Sequence, residues 1–293
     1  MTGSSGHPLH ALTFDIEDWF HMLEVDGLDD PSRWGDMESL VESRTEQILG
    51  VLRSHSVRAT FFILGWIAER HPALVRRIAD DGHEIGSHSF WHRAVYSMDP
   101  EEFRRDTLDS IRAIESACGT RPLGYRAPSF SILKGCEWAF DILLECGFAW
   151  DASLFPAMRG HGGYPCGDGP HLARSASGAA IPELPLSLMR VFGAGVCFSG
   201  GGYMRLSPKA VIDAGFRQME RRGIASVVYL HPRDFAPDCP RVAMPLHRRF
   251  KCYVGLDTTA GKLEHLLRTR RFGTCGDVLR NAGFLGPAEG AQT

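Results

Sequence analysis

Residues 13–20, TFDIEDWF, hold three carboxylates within four positions, Asp15, Glu17 and Asp18, and residues 88–92, HSFWH, hold His88 and His92. Imidazoles four residues apart, on one helical turn or in a tight loop, can reach a single cation, but two histidines leave that ion short of a ligand. A carboxylate from elsewhere has to complete the set, and residues 13–20 offer three. Four groups able to move protons or stabilise charge, Asp15, Arg126, Asp151 and His231, lie at the ends of short apolar stretches: ALTFD, LGYRA, FAWDAS and VVYLH. Singly, each has a structural reading: the carboxylate caps a helix, the arginine pairs at the surface, the aspartate sits in a turn, the histidine before proline ends a strand. Their shared position at strand ends is what points to a site.

The stretches that carry these residues alternate with helical patterns. ALTFD and RATFFILG are dominated by β-branched and aromatic residues and are expected to be buried strands. Between them SRTEQILGVLRSHS sets Ile48, Leu49 and Leu52 on one side of a helix. PALVRRIADDG begins with proline and ends with glycine, the asymmetry of a helix, and DPEEFRRDTLDSIRAIESACG repeats the device with Asp99 as N-cap and Pro100 at the first helical position. The strand LGYRA, the helix CEWAFDILLECG, the strands FAWDAS and IPELPLS, and the helix SPKAVIDAGFRQMERRG continue the alternation. ASVVYLHP follows as an apolar run typical of a strand buried on both faces. Repeated β–α units predict an α/β fold with a parallel sheet, closed or nearly closed, and functional residues on loops at the strand C-terminal ends. The glycine-rich segments 160–169 and 193–202 read as long loops.

With 293 residues and 44% hydrophobic content the chain can bury a sizeable core. A formal net charge of -3 argues against a nucleic-acid partner, which calls for clustered cations in excess. No apolar run approaches the ~18 residues of a membrane span. The opening MTGSSGHPLHALTFD lacks a basic segment followed by a long apolar one, so a cytoplasmic location is expected. The eight cysteines are scattered without a C-x-x-C pair and are expected to be reduced thiols.

Five motifs in the order TFDIED, HSFWH preceded by GHEIGS, YRAPSF, FAWDAS and YLH resemble those of the NodB-homology polysaccharide deacetylases, carbohydrate esterase family 4. FSGGGYMRLSP, YLHPRDF and RFKCYVGLDTTAGKLEHLLRTRRFGT further resemble the subgroup associated with exopolysaccharide and exosortase loci, which carries a C-terminal extension. The resemblance implies a distorted (β/α)7-type parallel barrel over residues 1–236, with an extension over 237–293 packed on it in a single structural domain. It implies an enzyme that removes N-acetyl groups from an amino sugar in a polysaccharide or its precursor. The implied cofactor is a divalent metal, zinc foremost, with cobalt or nickel as alternatives that the same nitrogen and oxygen donors accept.

Carried onto the matching positions, the resemblance makes Asp15 the general base, Arg126 its partner, His88 and His92 metal ligands, and His231 the acid that protonates the leaving amine. Asp151 would hold His231 in its tautomer. The family's usual T-F-D-D-G is replaced here by TFDIED. Members with a D-x-D form place the metal acid two residues after the base, which selects Glu17; Asp18 is the rival if the chain turns straight after the strand. Tyr125, Pro128, Trp91 and Tyr203, beside the motifs, are the expected sugar contacts, and a backbone N–H within 125–129 is expected to face the oxyanion. Two other functions compete: hydrolysis of a small cyclic amide, as in allantoinase-type relatives, and carbohydrate binding without catalysis.

Overall fold

The computed structural model describes residues 8–28, 30–157 and 163–287. Its strands are β1 (His10–Ile16), β2 (Thr60–Ile63), β3 (Glu84–Ser87), β4 (Gly124–Tyr125), β5 (Trp150–Asp151), β6 (His171–Arg174), β7 (Ala180–Glu183), β8 (Leu188–Val191), β9 (Ala194–Cys197), β10 (Val227–Leu230) and β11 (Phe272–Gly273). The helices are α1 (Val41–Ser54), α2 (Gly65–Arg70), α3 (Pro72–Asp80), α4 (Pro100–Cys118), α5 (Trp138–Glu145), α6 (Gly201–Leu206), α7 (Lys209–Arg221), α8 (Leu246–Tyr253), α9 (Thr259–Thr269) and α10 (Cys275–Asn281). Asp99 caps α4 as expected: its carboxylate accepts from the Glu102 N–H while the Glu102 side chain accepts from the Asp99 N–H.

The main sheet runs in the order β10-β1-β2-β3-β4-β5-β7-β6, with β11 joined to the first residues of β1. All its pairs are parallel except β6 with β7. The expected α/β alternation is therefore present, as a sheet curled into an incompletely closed barrel. Between β7 and β10 the wall is irregular chain: the Val227 N–H donates to Ser187 Oγ at 2.7 Å and the Tyr229 N–H to the Ser199 carbonyl at 3.3 Å. The expected loop over 193–202 is in part ordered. Residues 194–197 form β9, paired antiparallel with β8, and Gly200 bridges to Tyr229. Gly200 has to be glycine there, since a Cβ would stand 1.9 Å from the Tyr229 ring. Residues 160–162 of the other glycine-rich segment lie outside the described residues.

Strand register builds the floor of the site. Asp15, Phe62, Gly86, Gly124 and Trp150 are successive partners across five strands and form one transverse row. A Cβ on Gly124 would lie 2.0 Å from the Trp150 ring, so the glycine is the space that the indole fills. Parallel strands put all their C-terminal ends on one edge, and there Asp15, His88, Arg126, Asp151 and His231 gather. The opposite end is plugged by α10, whose first N–H groups donate to Thr60 Oγ1 at 2.8 Å and to the Glu84 carboxylate at 3.1 Å. All eight cysteines are free thiols, and no helix among the described residues is long and apolar enough to cross a membrane.

Candidate metal centre and active site

His88 and His92 are brought together by a pinned loop, not by a helical turn. The loop follows β3, and the Asp106 carboxylate on α4 accepts from the Phe90 and Trp91 N–H groups at 2.8 and 3.0 Å. Ser89 Oγ accepts from the His92 N–H at 3.1 Å, and Ser89 and His92 both adopt left-handed backbone, φ 65° and 53°. Such conformations cost of order 1–3 kcal/mol and persist where the surroundings over-determine them. The Arg126 carbonyl lies 2.8 Å from His88 Nδ1, so that nitrogen carries the proton and Nε2 presents its lone pair. Burial, only partly offset by Asp15, lowers the His88 pKa to about 4, so the ring is neutral and fit to ligate.

Glu17 supplies the carboxylate. Donor atoms of Glu17, His88 and His92 all lie within 4.8 Å of one another, and all three residues are buried. Glu17 Oε2 stands 2.5 Å from His92 Nε2. Burial would raise the Glu17 pKa, but His92, His231 and His88 together hold it well below the ordinary carboxylate value. Two imidazoles and one ionised carboxylate leaving open positions fit a catalytic divalent ion.

Asp18 points elsewhere, which corrects its place among the candidate ligands. The chain turns immediately after Glu17, and Asp18 becomes the N-cap of a short turn over 19–21, accepting from the Trp19 N–H at 2.8 Å. The same carboxylate accepts from Ser39 Oγ at 2.6 Å, the Leu40 N–H at 3.0 Å and the Val41 N–H at 3.2 Å. It thereby caps α1, whose own N-cap residue, Leu40, has no side chain that can do so. His21 closes the same turn: its Nδ1 accepts from the Asp18 N–H at 2.8 Å, and burial keeps it neutral.

On one side of the ligand triad lies Asp15. Arg126 Nη1 donates to Asp15 Oδ1 and to Thr13 Oγ1, both at 2.7 Å, while Nε donates to the Ala152 carbonyl at 3.2 Å. The guanidinium is fully buried and lies over the Phe62 ring, 4.1 Å from its centroid. Asp15 is thus held through one nitrogen, not by the two-pronged contact expected of arginine: Nε is spent on the barrel wall, and Nη2 is buried without a hydrogen-bond partner among the described residues.

Next to it stands His231, its Nε2 3.8 Å from Asp15 Oδ2 and 3.7 Å from Glu17 Oε1. Its partner is Asp234, not Asp151: His231 Nδ1 is 3.0 Å from Asp234 Oδ2, and the His231 N–H donates to the same oxygen at 2.9 Å. Asp234 Oδ1 in turn lies 3.1 Å from Arg205 Nε. Burial alone would lower the His231 pKa, but Asp234, followed by Glu17 and Asp15, outweighs it and raises the imidazole above its ordinary value. Arg205 is anchored from behind by the carbonyls of Lys251, Cys252 and Val254 at 2.9, 2.8 and 3.2 Å.

Asp151 is instead part of the barrel wall. It accepts from the Ser153 N–H at 3.0 Å and Ser153 Oγ at 2.7 Å, and it is paired with buried Glu183, whose pKa burial and Asp151 push well above the ordinary value. Glu183 is therefore the protonated member of that pair. Asp151 cannot serve His231 from there, because its lone pairs are already engaged.

Above these groups a cavity of about 210 Å³ opens between the loop after β1 and α8, with Met22, Tyr96, Phe130, Tyr229 and Cys252 among its walls. The expected sugar contacts do not line it. Tyr125 is wholly buried with its ring edge-on to Phe103 and Phe148, and Pro128 is buried at the start of a short turn. Trp91, 39% exposed, lines a separate groove with residues of α4, and Tyr203, 42% exposed on α6, is not among the cavity residues. Side chains next to a motif in sequence alternate between faces of a strand or turn, so nearness in sequence placed them poorly. Of residues 125–129 only Ser129 reaches the cavity; the Arg126 and Ala127 N–H groups are bonded to the Ser87 carbonyl and Ser153 Oγ. The residues that sequence reasoning missed are Asp234, Arg205, Arg233 and Tyr96. The D three places after H in HPRDF is a legible turn signal for Asp234; Arg205 has none, being 29 residues before its partner.

Residues 4–139 match the family model described as polysaccharide deacetylase, and residues 152–280 match a domain of unknown function, DUF3473. A peptidoglycan-N-acetylglucosamine deacetylase of Bacillus cereus is 36% identical over 98 residues, a match covering 33% of this chain and 36% of that protein. The match thus spans about a third of that curated relative. A crystal structure from Mycobacterium smegmatis, assigned to the polysaccharide deacetylases, superposes with a TM-score of 0.65 at 23% identity, covering 100% of this chain and 97% of that one. An allantoinase structure gives 0.63 at 19% identity, covering 100% and 94%. These two likenesses establish the fold. Together with the ligand triad at the strand ends, the matched family model marks residues 4–139 as a polysaccharide deacetylase domain of the NodB-homology, carbohydrate esterase 4 kind.

Proposed function

We propose that the protein is a metal-dependent de-N-acetylase acting on an N-acetylated amino sugar in a polysaccharide or its biosynthetic precursor, exopolysaccharide being the favoured context. The observation that carries this reading is the gathering of Asp15 with Arg126, and of His231 with Asp234, beside Glu17, His88 and His92 around one cavity. Glu17, His88 and His92 would hold the ion, zinc foremost, with cobalt or nickel acceptable to the same donors. When bound, such an ion supplies Lewis acidity towards the acetamide carbonyl.

Asp15 removes the proton from the attacking water, and the bond from Arg126 keeps its carboxylate aimed. His231 gives its Nε2 proton to the departing amine. Asp234 at Nδ1 fixes the ring and favours its charged form. Expulsion of an unprotonated amine is difficult, which is why an acid is required beside the base. The test is acetate release from N-acetylated oligosaccharides and from a cyclic ureide, with and without chelator. Chelator-sensitive acetate from the saccharides is expected; turnover of the ureide alone, or of nothing after metal reconstitution, overturns the reading.

A further inference from the structure

Arg233 is the one guanidinium or carboxylate on the cavity wall that makes no hydrogen bond or ion pair with a described residue, although the charges of Asp234 and Glu17 act on it from further off. Asp15 is met by Arg126, Glu17 by His92, and Glu24 by Arg248, which also donates to the Leu23 and Glu24 carbonyls. Asp234, next to Arg233 in the chain, is already spent on His231 and Arg205. Arg233 lines the cavity, makes no hydrogen bond or ion pair with a described residue, and has its Nε buried without an acceptor.

A guanidinium taken partly out of water with nothing to receive its protons is costly, and its planar fork of N–H donors matches a carboxylate or a phosphate. The charge count points the same way. Among the described residues, Asp15 is paired with Arg126 and Glu24 with Arg248, Glu17 would offset half the charge of a divalent ion, and Arg233 adds one more positive charge. Neutral sugar hydroxyls would leave that excess unmet. Arg233 follows His231 by two residues and lines the same cavity, so a group bound to it sits beside the acid, on the side of the leaving amine.

Resting on the deacetylase reading, we infer that Arg233 is an anion-binding residue of the substrate site, and that the amino sugar to be deacetylated carries a carboxylate or phosphate, on itself or on the adjoining unit. The acid would then be borne by the saccharide, as a uronic acid or a nucleotide- or lipid-linked phosphate.

Three probes of matched acetylation decide it: a neutral chito-oligosaccharide, an oligosaccharide of the same length alternating N-acetylglucosamine with glucuronic acid, and nucleotide-diphosphate-linked N-acetylglucosamine. The zinc-loaded wild type should show kcat/KM for at least one acidic probe about ten- to a hundredfold above the neutral one, the worth of a charge-assisted hydrogen bond. Which acidic probe wins separates carboxylate from phosphate. R233Q should bring the ratio close to one, R233K should keep part of it, and rising salt should compress it in the wild type. A wild type without preference for either acidic probe, or an R233Q that keeps the full ratio, overturns the assignment, and the wild-type comparison stands even if R233Q fails to fold. Absence of acetate from all three probes counts against the deacetylase reading instead. Calorimetry with the same probes then decides the subsite: an acidic probe bound by wild type and lost in R233Q supports it, and equal binding overturns it.

Discussion

Asp234→Asn isolates the charge behind the proposed acid while sparing its shape. The asparagine carbonyl can still accept from His231 Nδ1 across the 3.0 Å contact, and the three carbonyls on Arg205 remain to hold that guanidinium. What is lost is the negative charge and, with it, the oxygen that faces Arg205 Nε at 3.1 Å, where the amide NH2 then stands. A hydrogen bond to a charged group is worth about 1.5–3 kcal/mol in a buried setting, and each pKa unit corresponds to about 1.4 kcal/mol. Glu17 and Asp15 stay at 3.7 and 3.8 Å from Nε2 and retain part of the effect, so the pKa of His231 moves downwards by less than the whole of that contribution. The sign follows from the acid's duty: it must be protonated, so turnover falls as pH rises through its pKa, and a lower pKa moves that alkaline limb to lower pH. The assay is acetate release against pH for wild type and variant with equal metal content, alongside hydrolysis of an aryl acetate whose phenolate leaves without a proton. Turnover on the acetamide should fall about tenfold or more at the old limb, a part of the 10²–10⁴ that general acid catalysis typically supplies, while the aryl acetate is spared. An unmoved limb, or an equal loss on both substrates with metal intact, would refute the role of Asp234. Asp151→Asn should leave the limb in place.

Glu17→Ala should abolish stoichiometric metal binding, whereas Asp18→Ala should keep the metal and lose about 2 kcal/mol of stability with the cap of α1, read by urea unfolding and elemental analysis. Arg126→Lys cannot reach Asp15, Thr13 and the Ala152 carbonyl together, and should cost about 3 kcal/mol as well as most activity; wild-type stability would show that the guanidinium is dispensable to the barrel. Gly124→Ala drives a methyl into Trp150 and should destabilise by about 3 kcal/mol; an unchanged unfolding midpoint would show that the indole has room to move.

The pattern of strands and helices was legible because its signals are local: apolar runs, a proline at a helix start, an aspartate cap. The positions of Asp15, Arg126 and His231 at one edge followed from those strands, whereas His88 and His92 were joined to them only by their spacing and the resemblance, since no strand was legible before them. Glu17 against Asp18 was open in the sequence, since both residues precede a turn whose direction depends on Ser39, Leu40 and Val41, more than 20 residues away. The misplacement of Asp151 has a similar cause. At a strand end an aspartate can face the cavity or the wall, and Glu183, not adjacent in sequence, decided for the wall. The sugar contacts failed for want of a register: Tyr125 and Arg126 are neighbours in the chain and point opposite ways.

The Arg205 hook has a consequence for how such a chain can be cut or recombined. The groups assigned to water activation lie within one matched segment, and those assigned to the departing amine, with the bracing from residues 251–254, lie within the other. The seam between the two segments passes through the reaction centre. Neither piece could be transplanted onto a foreign partner and keep the proposed pair of proton donor and acceptor, and trimming α8 would loosen the imidazole through Arg205 and Asp234. The two halves would have to be inherited, and to drift, as one unit.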